Sequence, residues 1–288
     1  MMCEVKKIGF IGTGVMGASM AGHLLGAGHK LKVFNRTESK AKVLIERGAQ
    51  WVASPSLMAR ECDLIFTMLG YPSDVEAVIG KELIPGMERD SMIVDFTTSS
   101  PALARELAEQ GERKGISIVD APVSGGDLGA KNAALSIMMG GDASIISLIL
   151  PYLEKLGKKL VHQGGPGAGQ LTKMANQIAV AGSMLGMTES LAYAKKCGLD
   201  PHLVLDSIKG GAAGSWSLEN LSERVLKGDD SPGFYVKHFI KDLKIALDSA
   251  KEMNLDLPGT DRALELYCQL QDRGLGDKGT QSLFHLYS

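Results

Sequence analysis

The sequence has little that would mark a disulfide-stapled, membrane-spanning or metal-dependent protein. Its four cysteines, Cys3, Cys62, Cys197 and Cys268, are scattered. None forms a C-x-x-C pair, so neither a zinc site nor a disulfide framework is suggested, and reduced thiols are expected. The six histidines (His23, His29, His162, His202, His238 and His285) make no H-x-x-x-H or other ligand pattern, and no metal is expected. No uninterrupted apolar run approaches the roughly 18 residues of a membrane span. No apolar signal-peptide core precedes the first strand. The formal net charge of −2 is too small a field to draw in nucleic acid or an anionic membrane. Internal repeats and low-complexity tracts are also lacking. These absences predict a cytoplasmic protein without nucleic-acid or membrane partners.

What remains is ordinary globular composition, 44% hydrophobic and 22% charged over 288 residues. That length predicts one large domain or two moderate ones. Up to residue 163, short apolar runs alternate with helical patterns. Strands are expected at 5–11, 30–35, 50–52, 63–69, 91–96, 116–120, 135–140 and 158–162. Helices are expected near 16–27, 37–47, 73–80, 101–114 and 142–155. Continuous apolar runs such as Leu64-Ile65-Phe66 suit strands covered on both faces. The alternation predicts an α/β fold with a doubly wound, mostly parallel sheet of Rossmann type. At Gly164-Gly165-Pro166-Gly167-Ala168-Gly169 the pattern turns helical and stays so. Helices are expected at 168–196, 201–209, 216–227, 235–253 and 258–273. The predicted plan is a dinucleotide-binding domain, 1–163, joined by a long helix to an all-α domain within 164–288. In that long helix Leu171, Met174, Ile178 and Leu185 recur at helical spacing. Ala175, Ala179, Gly182 and Gly186 form a second stripe, predicting a helix buried along much of its length.

The strongest local signal is Lys7-Ile8-Gly9-Phe10-Ile11 followed by Gly12-Thr13-Gly14-Val15-Met16-Gly17 and a helix-prone run. Strand, G-x-G-x-x-G and helix in that order form the dinucleotide fingerprint in its required context. Gly12 permits the tight turn, Gly14 lets a pyrophosphate reach the backbone, and Gly17 lets the helix pack on the strand. The helix N-terminus then offers N–H groups to the phosphates. About 20 residues on, where an NAD site would place a carboxylate for the ribose 2′-hydroxyl, stand Asn35, Arg36 and Thr37. A guanidinium suits a 2′-phosphate, so NADP(H) is expected over NAD(H). Alternatively, Arg36 is a solvated surface residue and the three merely cap the next helix, for which Thr37 is well suited, and both readings can hold together.

Lys173 and Asn176 lie i and i+3 on the long helix, so both project from one face. A lysine in a crevice between the two domains could protonate the alkoxide left by hydride delivery. On spacing alone it could equally be a solvated charge. Asp120-Ala121-Pro122-Val123-Ser124-Gly125-Gly126 follows a strand, at the sheet edge where α/β folds bind ligands. Ser124 offers a hydroxyl, and Gly125 and Gly126 offer unobstructed N–H groups.

Taken together, Gly9 to Gly17, Asp120 to Gly126, Gly169 to Asn176 and Lys241-Asp242-Leu243 resemble the β-hydroxyacid dehydrogenases, the family of 3-hydroxyisobutyrate dehydrogenase. The resemblance runs over essentially the whole chain. It implies that Lys173 is the catalytic acid/base and that Ser124, Gly125 and Gly126 bind the substrate carboxylate. It implies that Asn176 contacts substrate, that Lys241 reaches cofactor or substrate, and that Leu69 and Thr98 line the nicotinamide side of the cofactor site. Many members carry Gly-Thr where this chain has Ala133-Ala134, and Asp-x-Ser where it has Gly279-Thr280-Gln281. Asn35-Arg36-Thr37 resembles the NADP-using branch, which includes glyoxylate and succinic semialdehyde reductases. The expected activity is reversible interconversion of a small carboxylate-bearing aldehyde and its hydroxyacid, by a homodimer or homotetramer. Imine reduction and cofactor binding without turnover are the rival readings.

Overall fold

The computed structural model describes residues 7–287. Cys3 and the first two positions of the 5–11 strand lie outside that range. The chain divides into a first unit ending at Lys173 and a second beginning at Met174.

The first unit is built on a nine-stranded sheet. Its strands are β1 (Ile8–Ile11), β2 (Leu31–Phe34), β3 (Gln50–Trp51), β4 (Leu64–Thr67), β5 (Met92–Asp95), β6 (Ser117–Asp120), β7 (Val123–Ser124), β8 (Leu135–Gly140) and β9 (Gly157–Gly164). The order is β3-β2-β1-β4-β5-β6-β8-β7, with β9 also paired to β8. The first six strands are parallel in the 3-2-1-4-5-6 Rossmann order. Antiparallel β8 follows β6, and β7 folds back on β8. The order reverses between β1 and β4, so the loops after β1, β4 and β5 gather where such sheets bind ligands.

The central strands are buried throughout because alternate residues serve opposite faces of the sheet. Phe10, Phe66 and Val94 enter one core with Met20 and Leu24. Ile11, Ile65 and Ile93 enter the other with Met58, Ile79 and Leu83. Phe66 and Phe96 stack with centroids 5.6 Å apart. Each such fully buried side chain contributes roughly 1.5–3 kcal/mol relative to exposure.

All eight expected strands are present, trimmed or shifted by a residue or two in most cases. Not expected were β7, the helices Pro55–Glu61 and Gly126–Lys131, the turn Ile84–Gly86 that extends the expected 73–80 helix, and the 3-10 segment Thr280–Leu286. The first of these helices has Ser54 accepting from the Leu57 N–H at 3.1 Å and Pro55 at its first position, which is a start signal visible in the sequence. The expected 37–47 helix is a 3-10 turn, Glu38–Ala41, leading into Lys42–Glu46.

Helix Ala168–Lys196 starts in the first unit and runs into the second. The second unit then contains Pro201–Ile208, Trp216–Leu226, Val236–Glu252 and Pro258–Leu270, and a final 3-10 segment, Thr280–Leu286. Its core centres on Phe239 and Tyr267, which meet edge to face at 4.9 Å, with Met184, Met187 and Leu191 around them. The expected burial of the small-residue stripe is corrected. Ala175, Ala179, Gly182 and Gly186 are exposed in the single chain, and a Cβ at either glycine would meet nothing within 4 Å. The buried face of the helix carries Ala181, Met184, Met187 and Leu191 instead.

Candidate active site

The glycine turn after β1 has the local geometry its sequence demands. Gly12 has φ of 95°, and a Cβ there would collide with the Met68 carbonyl. A Cβ at Gly17 would fall on the Gly12 carbonyl, which is why the helix Val15–Gly26 can sit so close to the turn. Gly14 differs from both. It caps that helix with φ of −73°, and a Cβ would meet nothing within 4 Å among the described residues. Its reason for being glycine is therefore not packing within the chain. The helix start has no side-chain cap, and the buried Thr13 hydroxyl finds no hydrogen-bond partner among the described residues. Bare backbone, uncapped N–H groups and an orphan hydroxyl fit a dinucleotide pyrophosphate. Val15 is exposed at the mouth of the turn, and Met16 is half-buried against the core.

Asn35 braces this turn. Its Oδ1 accepts from the Thr13 N–H at 3.0 Å, and its Nδ2 donates to the Thr37 carbonyl at 2.8 Å. Thr37 stands at the cap of the following turn but makes no side-chain cap bond, so the simple capping alternative does not describe it. Arg36 is 90% exposed, with Nη1 3.6 Å from Asp74 Oδ1. The sequence around 35–37 gave no hint of that carboxylate, which arrives from the 72–75 segment. At such exposure the pair is worth little.

The ends of β4, β5 and β6 converge on a second network. The Leu69 N–H donates to Thr97 Oγ1 at 2.8 Å. The Thr97 N–H and the Thr67 hydroxyl both donate to Asp95 Oδ1, at 3.0 and 2.7 Å. Burial pushes the Asp95 carboxyl up to about 6, against the pull of those bonds. Asp120, beside Asp95 in the register, accepts the N–H groups of Gly167 and Gln170, each at 2.8 Å. It thereby caps the long helix from another strand. Burial raises its carboxyl too, and the two N–H bonds oppose the rise. Gly169 admits this close docking, since a Cβ would lie 2.8 Å from Asp120 Oδ2.

One turn beyond Gln170 stands Lys173, only 6% exposed. Its Nζ donates to the Val123 carbonyl at 2.8 Å. The next residues are Ser124, half-buried in β7, and Gly125 and Gly126, with φ of 129° and 62°. The first unit thus brings Lys173 to the Ser124 turn, and Leu69 and Thr98 to the same sheet edge as the glycine turn. His23 Nε2 lies 2.9 Å from the Ala130 carbonyl, tying the glycine-turn helix to the segment that follows Ser124.

In the second unit, Asn176 Nδ2 donates to Gln177 Oε1 at 2.8 Å, and Gln177 Nε2 to Asp242 Oδ2 at 2.7 Å. Lys241 Nζ pairs with Asp242 Oδ1 at 3.0 Å. Asn176 and Lys241 are therefore joined through two buried residues: Gln177, which no motif included, and Asp242, which stood in the Lys241-Asp242-Leu243 motif without an assigned role. Among the described residues no cluster of His, Cys, Asp or Glu could hold a metal ion, and no helix is long and apolar enough to cross a membrane.

A parallel sheet in Rossmann order with a bare glycine turn defines a dinucleotide-binding protein, and comparison with known proteins narrows that class. The family model for the NAD binding domain of 6-phosphogluconate dehydrogenase matches residues 7–165. The model described as NAD-binding of NADP-dependent 3-hydroxyisobutyrate dehydrogenase matches 167–287. A probable mitochondrial 3-hydroxyisobutyrate dehydrogenase-like protein of Arabidopsis thaliana is 49% identical over 96% of this chain and 84% of its own. The 2-hydroxy-3-oxopropionate reductase of Escherichia coli is 40% identical over 91% of this chain and 90% of its own. A solved 3-hydroxyisobutyrate dehydrogenase of Mycobacterium tuberculosis, with L-serine, superposes with a TM-score of 0.88 at 29% identity, covering 98% of this chain and 99% of that one. The chain belongs to the β-hydroxyacid dehydrogenase family, that of 3-hydroxyisobutyrate dehydrogenase, and is an NAD(P)-dependent hydroxyacid dehydrogenase.

Proposed function

We propose that this dehydrogenase reduces small carboxylate-bearing aldehydes reversibly to hydroxyacids, prefers NADP(H), and uses Lys173 as general acid/base. The observation that carries this reading is the buried Lys173 ammonium bonded to the Val123 carbonyl, one residue before the Ser124 turn. Gly12 to Gly17 would hold a nicotinamide cofactor, which would supply the hydride when bound. Leu69 and Thr98 would border its nicotinamide, and Asn35 holds the turn in shape. Ser124 and the N–H groups of Gly125 and Gly126 take the substrate carboxylate. As hydride reaches the carbonyl carbon, the oxygen gains the electron pair of the C=O π bond. Lys173 Nζ gives that oxygen a proton, becomes neutral, and regains its proton from solvent. Asn176 and Lys241 are assigned to substrate and cofactor contacts. The preference for NADP(H) rests on Arg36, whose exposed guanidinium pairs only weakly with Asp74 and suits a 2′-phosphate.

The test is turnover of NADPH with glyoxylate, succinic semialdehyde and 2-hydroxy-3-oxopropionate, for the wild type and for Lys173→Ala. The variant should lose about 10²–10⁴-fold in kcat while still binding NADPH. Near wild-type turnover in the variant would remove Lys173 from the chemistry. No turnover by the wild type with any of the three would remove these aldehydes from the proposed substrates.

A further inference from the structure

The residue pattern of the helix start holds one side chain that none of the assigned roles uses. Gln170 is fully buried, one turn ahead of Lys173. Its Nε2 donates to the Thr97 carbonyl at 2.7 Å, and its Oε1 accepts the Ser99 N–H at 2.9 Å. The two bonds bracket Thr98, so one amide grips the backbone on both sides of it. The amide orientation follows from chemistry, because a carbonyl needs the NH2 end and an N–H needs the oxygen. Gln170 is itself pinned, since its own N–H donates to Asp120 at the end of β6. Thr97 in turn bonds to Leu69 and Asp95. A continuous hydrogen-bonded frame therefore runs from the ends of β4, β5 and β6 to the helix turn that carries Lys173. Buried polar groups cost stability unless paired, and a hydrophobic residue of similar size would fill the same space without them. The expense of burying an amide here is matched by what it spaces.

We propose that Gln170 is a positioning residue that sets Lys173 in register with the Thr97–Ser99 turn, with Asp120 as its anchor. It touches neither substrate nor cofactor. Its effect is to fix the distance between the lysine that handles the proton and the loop that borders the nicotinamide. The inference rests on the assignment of Lys173 and Thr98 made above. Reaction geometry is steep in distance, and a displacement of about 1 Å costs on the order of 10²-fold in rate.

The experiment uses the full chain and the variants Gln170→Met, Gln170→Glu and Lys173→Ala. Gln170→Met keeps length and removes both bonds. Gln170→Glu keeps the acceptor for Ser99 and loses the donor to Thr97. Amide hydrogen exchange is read first, without cofactor. Exchange at Ser99 should rise about tenfold in Gln170→Met and stay near wild type in Gln170→Glu. Turnover of 2-hydroxy-3-oxopropionate is then followed with NADPH and with NADPH deuterated at the transferred C4 position. In Gln170→Met, kcat should fall about 10–100-fold, and the deuterium isotope effect on kcat should rise, while the Kd for NADPH stays within about threefold. Gln170→Glu should fall between that variant and the wild type. A merely structural role lowers the active fraction and leaves the isotope effect unchanged, and that result overturns the proposal. If Gln170→Met does not fold, wild-type kcat and isotope effect in Gln170→Glu overturn it. Wild-type turnover in Lys173→Ala removes the assignment on which the inference rests. A dead Lys173→Ala beside unaffected Gln170 variants removes the inference alone.

Discussion

Gly14 and Gly17 stand three residues apart in one motif, yet the structure predicts opposite outcomes for the same substitution. At Gly14 the backbone angles, φ −73° and ψ −162°, are open to alanine, and the new Cβ meets nothing within 4 Å. Reduced freedom of the unfolded chain favours alanine by about 0.4–1 kcal/mol, and the poorer cap disfavours it by a few tenths. Gly14→Ala should therefore melt within about 3 °C of the wild type. Its methyl group would occupy the backbone approach that a pyrophosphate needs, and NADPH affinity should fall at least tenfold, about 1.4 kcal/mol or more. Gly17→Ala drives its Cβ onto the Gly12 carbonyl, so either the helix or the turn must move. That kind of overpacking costs about 1–3 kcal/mol and should lower the melting temperature by several degrees. Melts without cofactor and NADPH fluorescence titrations on both variants separate the two effects. Wild-type NADPH affinity in Gly14→Ala would refute the placement of the pyrophosphate on this backbone. A cofactor-free melt of Gly14→Ala as low as that of Gly17→Ala would refute the packing argument.

Three further outcomes follow from local geometry. Arg36→Ala should lower kcat/KM with NADPH about tenfold or more and leave NADH within about twofold, and equal losses with both would remove Arg36 from cofactor choice. Asp95 keeps its proton to about pH 6 in the fold against 3.8 ordinarily, so the folded state binds more protons between those values. Stability should fall by about 3 kcal/mol as pH rises through that window, and Asp120 acts in the same sense. Asp95→Asn keeps the acceptor for Thr67 and Thr97 and should flatten the slope, whereas parallel stability curves from pH 4 to 7 would contradict the assignment. Ala133 has φ of 49° just past the helix Gly126–Lys131, where the Ala134 N–H bonds back to the Gly129 carbonyl. This is a left-handed helix end that favours glycine, so Ala133→Gly should raise stability by up to about 1 kcal/mol, and a lower melting temperature would count against it.

The parallel sheet was legible because its strands are dictated locally. Leu64-Ile65-Phe66 and Met92-Ile93-Val94 carry no polar residue, are rich in β-formers, and suit strands buried on both faces. The glycine turn was legible because strand, G-x-G-x-x-G and helix follow one another along the chain, although only Gly17 answers a backbone group nearby, Gly12 answering the distant Met68 carbonyl. Tertiary capping was not. Asp120 looked like the end of a strand, and only the fold brings it to the N–H groups of Gly167 and Gln170, about fifty positions along. A carboxylate closing the run Ile118-Val119-Asp120 was the available signal, because a buried charge must find donors. Gln170 and Gln177 gave less warning, being ordinary residues in a helical pattern. The small-residue stripe misled, because a period of 3.6 says which residues share a face and not which face the single chain buries.

The helix Ala168–Lys196 also sets where this protein can be cut and recombined. The change of composition lies at 164–169, and the two family models meet at 165–167. Compactness places the division later, after Lys173. The interval between the two holds Gly167, Gln170 and Lys173, every one of them bonded to Asp120, Thr97, Ser99 or Val123. A chimera joined at the glycine-rich segment would therefore take its first turn of helix from one parent and the strands that hold that turn from another. Joined after Lys173, it would inherit both from the same parent. Exchange of helical domains among relatives, whether by evolution or by design, is constrained by seven residues that read as one module and are held by the other.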